Sequence, residues 1–194
     1  MITIEQMVEN VCAVYNAAHK GADAVQWYAI ANAWIVKTAR IFDIEPEVVA
    51  YVVATLSPKL RWDKNLESAL SMLELQVWGW TDKRNSALGA NTRKVFAAFD
   101  GERPYVATGD KVASFQRNLL GDYDAVTIDR HAIAIALRGL NAIGSDSGDV
   151  KITAKDYALF VQAYRIAAER LNENPVTVQS TTWCAVGRKS RRGN

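Results

Sequence analysis

The chain has 194 residues, 49% of them apolar, and a formal net charge of +2. It can bury one substantial core, or a core shared by two interleaved helical lobes, rather than two separately folding domains. Arg188, Lys189, Arg191 and Arg192 supply more than the net charge, so the body is near neutral and a broad basic face is excluded. A nucleic-acid partner must then be held by a few placed cations and backbone N–H groups.

The elements predicted along the chain are helices. Thr3 opens a capping box with Gln6, and Met7, Val11, Val14 and Tyr15 follow at helical spacing to a break near Gly21. Ala24 to Phe42 reads as a second helix, with Trp27, Ile30, Trp34, Ile35 and Thr38 on its inner face. Pro46, suited to a first-turn position, starts a third helix that runs through Val48, Val49, Val52 and Val53 to Leu56, where Ser57-Pro58 ends it. Asn65 to Val77 and Asn91 to Phe99 are the next two, separated by a polar turn around Gly79 and Asp82. Lys111 to Leu120 lies between Gly109 and Gly121, and another helix runs from about Arg130 to Leu140. Gly144-Ser-Asp-Ser-Gly148 is a loop; Thr153 with Asp156 caps a helix to Leu171, and Asn174-Pro175 caps the last, through Trp183. The expected fold is all-α, one compact domain over 1–187 with a basic, disordered tail over 188–194.

Cys12 and Cys184 are too few and too far apart for a disulfide framework or a metal cluster, and they read as reduced core residues. No apolar run reaches spanning length, and the N-terminus lacks the basic start and long apolar centre of a signal peptide. The expectation is a soluble cytoplasmic monomer without metal or cofactor and without membrane contact.

Lys111 and Asp129 lie 18 residues apart, an amine at the start of one helix and a carboxylate at the start of the next. Such a pair suits the breaking of a glycosidic bond. Ala132 to Leu137 is apolar all round, so that helix should be buried, with Asp129 at the positive end of its dipole. From position alone Asp129 is an N-cap, Lys111 a solvated surface cation and His131 a partner of backbone. Trp62 is the one tryptophan outside the apparent core pattern, placed to act as a base-stacking surface. Arg84, Arg93 and Lys94 carry no discriminating signal.

Gly109-x-Lys111-x-Ala113 followed by Val126-Thr-Ile-Asp129-Arg-His131 resembles the helix-hairpin-helix DNA glycosylase superfamily, particularly its endonuclease III branch. Ala54-Thr-Leu56-Ser57-Pro58-Lys59 with Asn65 resembles that branch's Leu-Ser-x-Gln loop and following Asn, so the likeness covers roughly residues 46 to 140. It also extends to short phage-encoded members. The resemblance implies a two-lobed helical fold, double-stranded DNA with a damaged or modified base as partner, and a bacterial or phage-infected cell as setting. Lys111 would be the amine that attacks the sugar and Asp129 the carboxylate that stabilises the developing positive charge. Lys59, Leu60 and Arg61 would be the wedge and strand contacts, with Thr108, Gly109 and His131 at the DNA backbone. The target nucleotide must be rotated out of the duplex, at an unstacking cost of roughly a few kcal/mol.

The chain departs from that pattern in three places. Val106-Ala107-Thr108-Gly109 keeps only the second of two hairpin glycines, Asp110 puts a negative charge beside Lys111, and the four-cysteine iron–sulfur motif is absent. Two further functions therefore stand beside base excision: an enzyme that hypermodifies bases on the same scaffold, and a non-catalytic DNA-binding protein.

Overall fold

The computed structural model describes residues 2–79, 89–145, 148 and 150–187. Asp82, Arg84, the centre of the 144–148 loop and the tail with Arg188 to Arg192 lie outside these residues. Among the described residues every regular element is helical, so the protein is all-α: α1 (Ile4–Ala17), α2 (Ala22–Val25), α3 (Trp27–Phe42), α4 (Pro46–Leu56), α5 (Trp62–Val77), α6 (Ala90–Phe99), α7 (Asp110–Leu119), α8 (Arg130–Arg138), a 3-10 turn (Gly139–Ala142), α9 (Ala154–Leu171) and α10 (Pro175–Gly187). The chain divides into a terminal unit, Met1–Ile30 with Gly121–Asn194, and a central unit, Ala31–Leu120.

In the terminal unit, α1 buries Met7, Val8, Val11, Val14 and Tyr15 and packs against α8 and α9. Its start is fixed by Thr3 Oγ1, which accepts from Gln6 N at 3.2 Å. The predicted apolar helix is α8, and Ala132 to Ala136 are all buried, with Leu137 packed against the same core. Ile133 and Ile135 are each worth about 1.5–3 kcal/mol when removed from water there, and the alanine methyls less. A side chain from α1 closes the other end of α8: Asn10 Nδ2 donates to Ala136 O at 2.8 Å. Gly139 leaves α8 at φ 53°, and a Cβ there would lie 2.7 Å from Asn10 Oδ1. Only glycine permits that approach. Thr153 and Asp156 form the predicted capping box of α9. Tyr15 Oη donates to Glu173 Oε1 at 2.7 Å, and burial first, then this carboxylate, pushes its phenol up to about 12.

Helix α10 buries polar residues beside Val176, Val178 and Val186. Gln179, Ser180, Thr181 and Thr182 are each at most 4% exposed. Ser180 Oγ donates to Ala24 O at 2.9 Å and Thr182 Oγ1 to Val178 O at 2.8 Å, which makes those hydroxyls affordable in a core.

In the central unit, α4 is enclosed over Val49 to Leu56, with α5, α6 and α7 packed around it; Val48 is half-buried. Tyr51 Oη donates to Lys94 O at 3.1 Å, Asn65 Nδ2 to Val53 O at 3.1 Å and Asn32 Nδ2 to Leu119 O at 2.8 Å. Three expectations need correction. The predicted Ala24–Phe42 helix is broken at Gln26 into α2 and α3. Ile30 is 56% exposed rather than inward-facing, and Tyr28, Ala31, Ile35, Thr38 and Ala39 form the buried stripe. The stripe is turned by about one residue because alanines let a neighbour approach closely, whereas Trp27 and Trp34 stay half-buried at its rim. Cys12 and Cys184 are likewise half-buried rather than core.

Candidate active site and nucleic-acid interface

The loop before α7 is held by one side chain of α7 itself. Gln116, 7% exposed, accepts from Ala107 N through Oε1 at 2.8 Å and donates from Nε2 to Tyr105 O at 2.7 Å. An amide reads both groups of a peptide segment at once, so the loop enters α7 in one conformation. Gly109 stands at the helix start with φ 86°, and Thr108, Gly109, Asp110 and Lys111 are exposed there. The structure thus brings Lys111 together with Thr108 and Gly109. The Ala107 amide, two residues before Gly109, is committed to Gln116.

The loop after α4 is a tight turn, closed by Leu60 N donating to Ser57 O at 3.1 Å. Ser57 Oγ donates back to Ala54 O at 2.9 Å. Lys59 sits in the turn at φ 67°, a left-handed conformation that costs a residue with a Cβ about 1–2 kcal/mol. Lys59 and Leu60 are exposed, Leu60 by 45%. Arg61 is also exposed, and its guanidinium is paired with Asp63 at 3.2 Å through both Nε and Nη2. Trp62 is half-buried and packs edge-on against Phe115 of α7 at 6.5 Å between ring centroids. That ring is therefore partly used in tying α5 to α7, a role its position beside the loop did not reveal.

Asp129 and His131 share the start of α8 in the terminal unit. Asp129 caps the helix, its Oδ1 accepting from His131 N at 2.9 Å and Ala132 N at 2.8 Å. Both bonds fall on one oxygen, so the cap holds the carboxylate while engaging half of it. The segment leading in is anchored by a residue that the motif did not contain: Tyr157 Oη accepts from Ile128 N at 3.2 Å and donates to Val126 O at 3.1 Å. Both Asp129 and His131 are half-buried. The imidazole lies edge-on to Trp183 at 6.4 Å, Trp183 meets Trp27 at 5.7 Å, and Trp27 meets Tyr28 at 4.8 Å.

The Asp129 charge is felt by two buried phenols. Burial raises the pKa of Tyr28 most, the Thr127 side chain pulls it down, and Asp129 pushes it further up. Tyr164 follows the same order, raised by burial, lowered by Thr182 and raised again by Asp129. Both phenols therefore stay protonated and can donate hydrogen bonds near a carboxylate; Tyr164 Oη donates to Ala132 O at 3.3 Å.

Lys111 belongs to the central unit and Asp129 to the terminal unit. Among the described residues no group of three His, Cys, Asp or Glu side chains is arranged to hold a metal, and no helix is long and apolar enough to cross a membrane.

A family model matches residues 1–190. The chain belongs to a family of unknown function, DUF7178. No curated protein and no solved structure matches it. Gln116 and Tyr157 hold the two candidate segments, and motif reading missed both. Their only sequence signal is a polar atom on an otherwise inward-facing helical position.

Proposed function

We propose that this protein is a DNA N-glycosylase with abasic-site lyase activity, acting on a damaged or modified base turned out of the duplex. The observation that carries this reading is the Asp129 carboxylate, fixed by two amides at the start of a buried helix. Fixed charge of that kind stabilises positive charge at a sugar's anomeric carbon, because no reorganisation is needed as the charge develops. Support also comes from the Lys111 amine, exposed in the first turn of α7, and from the order of the two sequence blocks.

In the chemistry proposed, the neutral Lys111 amine attacks C1′. The N-glycosidic bond breaks, its electron pair leaves with the base, and the base takes up a proton. Loss of the amine proton and opening of the sugar ring give a Schiff base, from which elimination of the 3′ phosphate cuts the strand. Lys59 and Leu60, at the tip of the turn after α4, are the wedge that fills the space left by the extruded nucleotide.

Borohydride reduction in the presence of DNA carrying an abasic site tests this. A covalent protein–DNA adduct is expected with wild type and none with Lys111→Ala. The commitment of the Ala107 amide and the charge of Asp110 favour, as a second reading, a protein that binds DNA without turnover. Binding with neither adduct nor base release across a broad panel of modified bases would select that reading. Turnover seen only with a modified pyrimidine and an amine donor would instead assign base hypermodification.

A further inference from the structure

We infer that the central unit carries a site for a phosphate group, in a small cavity where α4, α6 and the loop before α7 meet. Six polar side chains line it: Tyr51 and Thr55 of α4, Asn91 and Lys94 of α6, and Arg103 and Thr108 of the loop. No carboxylate is among the lining residues. Two cations face one space with no carboxylate lining it among the described residues, and Thr55, Asn91 and Thr108 beside them can donate hydrogen bonds, while the one Tyr51 proton goes to Lys94 O.

The second observation is an orphan. Arg103 Nε is shielded from solvent and has no hydrogen-bond partner. Shielded guanidinium N–H groups are ordinarily paired, because an unpaired one forfeits its hydration without replacement. An oxyanion supplies what is missing, and Arg with Lys is the pair that suits the spread oxygens of phosphate.

Rigidity and size narrow the ligand. Tyr51 is 1% exposed, its hydroxyl held by Lys94 O and its ring set edge-on to Tyr105 at 5.8 Å. Gln116 fixes the loop on the other side. The free space is about 20 Å³, close to that of one water molecule. It admits one oxygen of a tetrahedral group while the remainder sits at the mouth, where Lys94 and Thr108 are exposed. A base or sugar does not fit inside. The site uses neither Lys111 nor Asp129, so it stands apart from the excision chemistry proposed above.

The phosphate can be free, or part of a nucleic-acid backbone. Thermal unfolding of the full chain is followed against inorganic phosphate at constant ionic strength, alongside Arg103→Gln, Lys94→Gln and, as a remote control, Lys37→Gln. Wild type and Lys37→Gln are expected to show a saturable rise in Tm. Arg103→Gln is expected to lose it, and Lys94→Gln to need at least about tenfold more phosphate, as befits loss of a charge-assisted contact. Should Arg103→Gln unfold, Lys94→Gln, at an exposed position, still decides the matter. Duplex DNA then identifies the source. A backbone phosphate predicts weaker DNA binding in Arg103→Gln with a salt slope smaller by about one, whereas free phosphate predicts unchanged DNA binding. No saturable response to phosphate, or the same response in both variants, overturns the site.

Discussion

Removing the Gln116 side chain should release the loop that leads into α7. In Gln116→Ala the Ala107 N–H, on a residue 5% exposed, loses the acceptor now 2.8 Å away. A buried donor left unpaired costs about 1–3 kcal/mol. The Tyr105 carbonyl loses its donor at 2.7 Å, but its residue is half-buried and water can replace the bond, so about 0.5–1.5 kcal/mol is forfeited. Together the variant should be less stable by roughly 2–4 kcal/mol. Hydrogen exchange reads the local part directly: about 2 kcal/mol of lost protection at the Ala107 amide corresponds to roughly 30-fold faster exchange. Gln116→Glu checks the direction of both bonds. It keeps the acceptor for Ala107 N–H but, when ionised, sets a second oxygen against the Tyr105 carbonyl with no proton between them. The neutral acid is favoured in the fold, so the pKa of the introduced carboxyl should rise above its ordinary value of about 4.3. The variant should be near wild-type stability below that value and lose stability as pH rises through its folded pKa. Loss of less than about 0.5 kcal/mol in Gln116→Ala, with wild-type exchange at Ala107, would refute the assignment of Gln116 as the clamp.

Gly139→Ala and Gly109→Ala separate crowding from backbone strain. The first places a Cβ 2.7 Å from Asn10 Oδ1 at φ 53° and should cost about 2–4 kcal/mol in denaturant unfolding; the second, at φ 86° with nothing within 4 Å, should cost only about 1–2 kcal/mol. Thr153→Ala removes the hydroxyl of the α9 capping box and should lower Tm by roughly 2–4 °C at neutral pH. The Asp156 carboxyl is held below its ordinary 3.8 by the Thr153 N–H first and the hydroxyl second, so its stabilisation is present above that pH and lost as pH falls further. The part of the Thr153→Ala deficit that runs through Asp156 should vanish with it in an acid titration of Tm. Asp129→Asn retains the Oδ1 acceptor and should stay within about 1 kcal/mol of wild-type stability, while the proposed base release slows by about 10²-fold or more; equal rates in a single-turnover excision assay would remove Asp129 from the proposed chemistry.

Much of the architecture is local and was therefore legible in the chain. Thr3 and Thr153 mark helix starts through bonds that span three residues, Pro46 sits in the first turn of α4, and the unbroken apolar run from Ala132 announces a buried helix. The N-cap role of Asp129 could be read in the same way, since its partners are the next two amides but one. The face that α3 buries was legible only at Ile35 and Thr38, because tryptophan and isoleucine suit a core by composition while the alanines beside them suit it by shape.

The amino-acid order alone determined the all-helical class, the main helices with their caps, and the position of an amine and a carboxylate at two successive helix starts. Those features depend on periodicity and on bonds reaching only a few residues along the chain. Tertiary packing decided that Gln116 clamps the loop ahead of Lys111, that Tyr157 anchors the segment ahead of Asp129, and that α10 buries the polar run Gln179 to Thr182. Packing also brought Asn10 to the end of α8, across 126 residues of chain. A side-chain amide or phenol carries no mark of its partner in its own neighbourhood. Its partner is set by which backbone groups the packed helices leave unsatisfied.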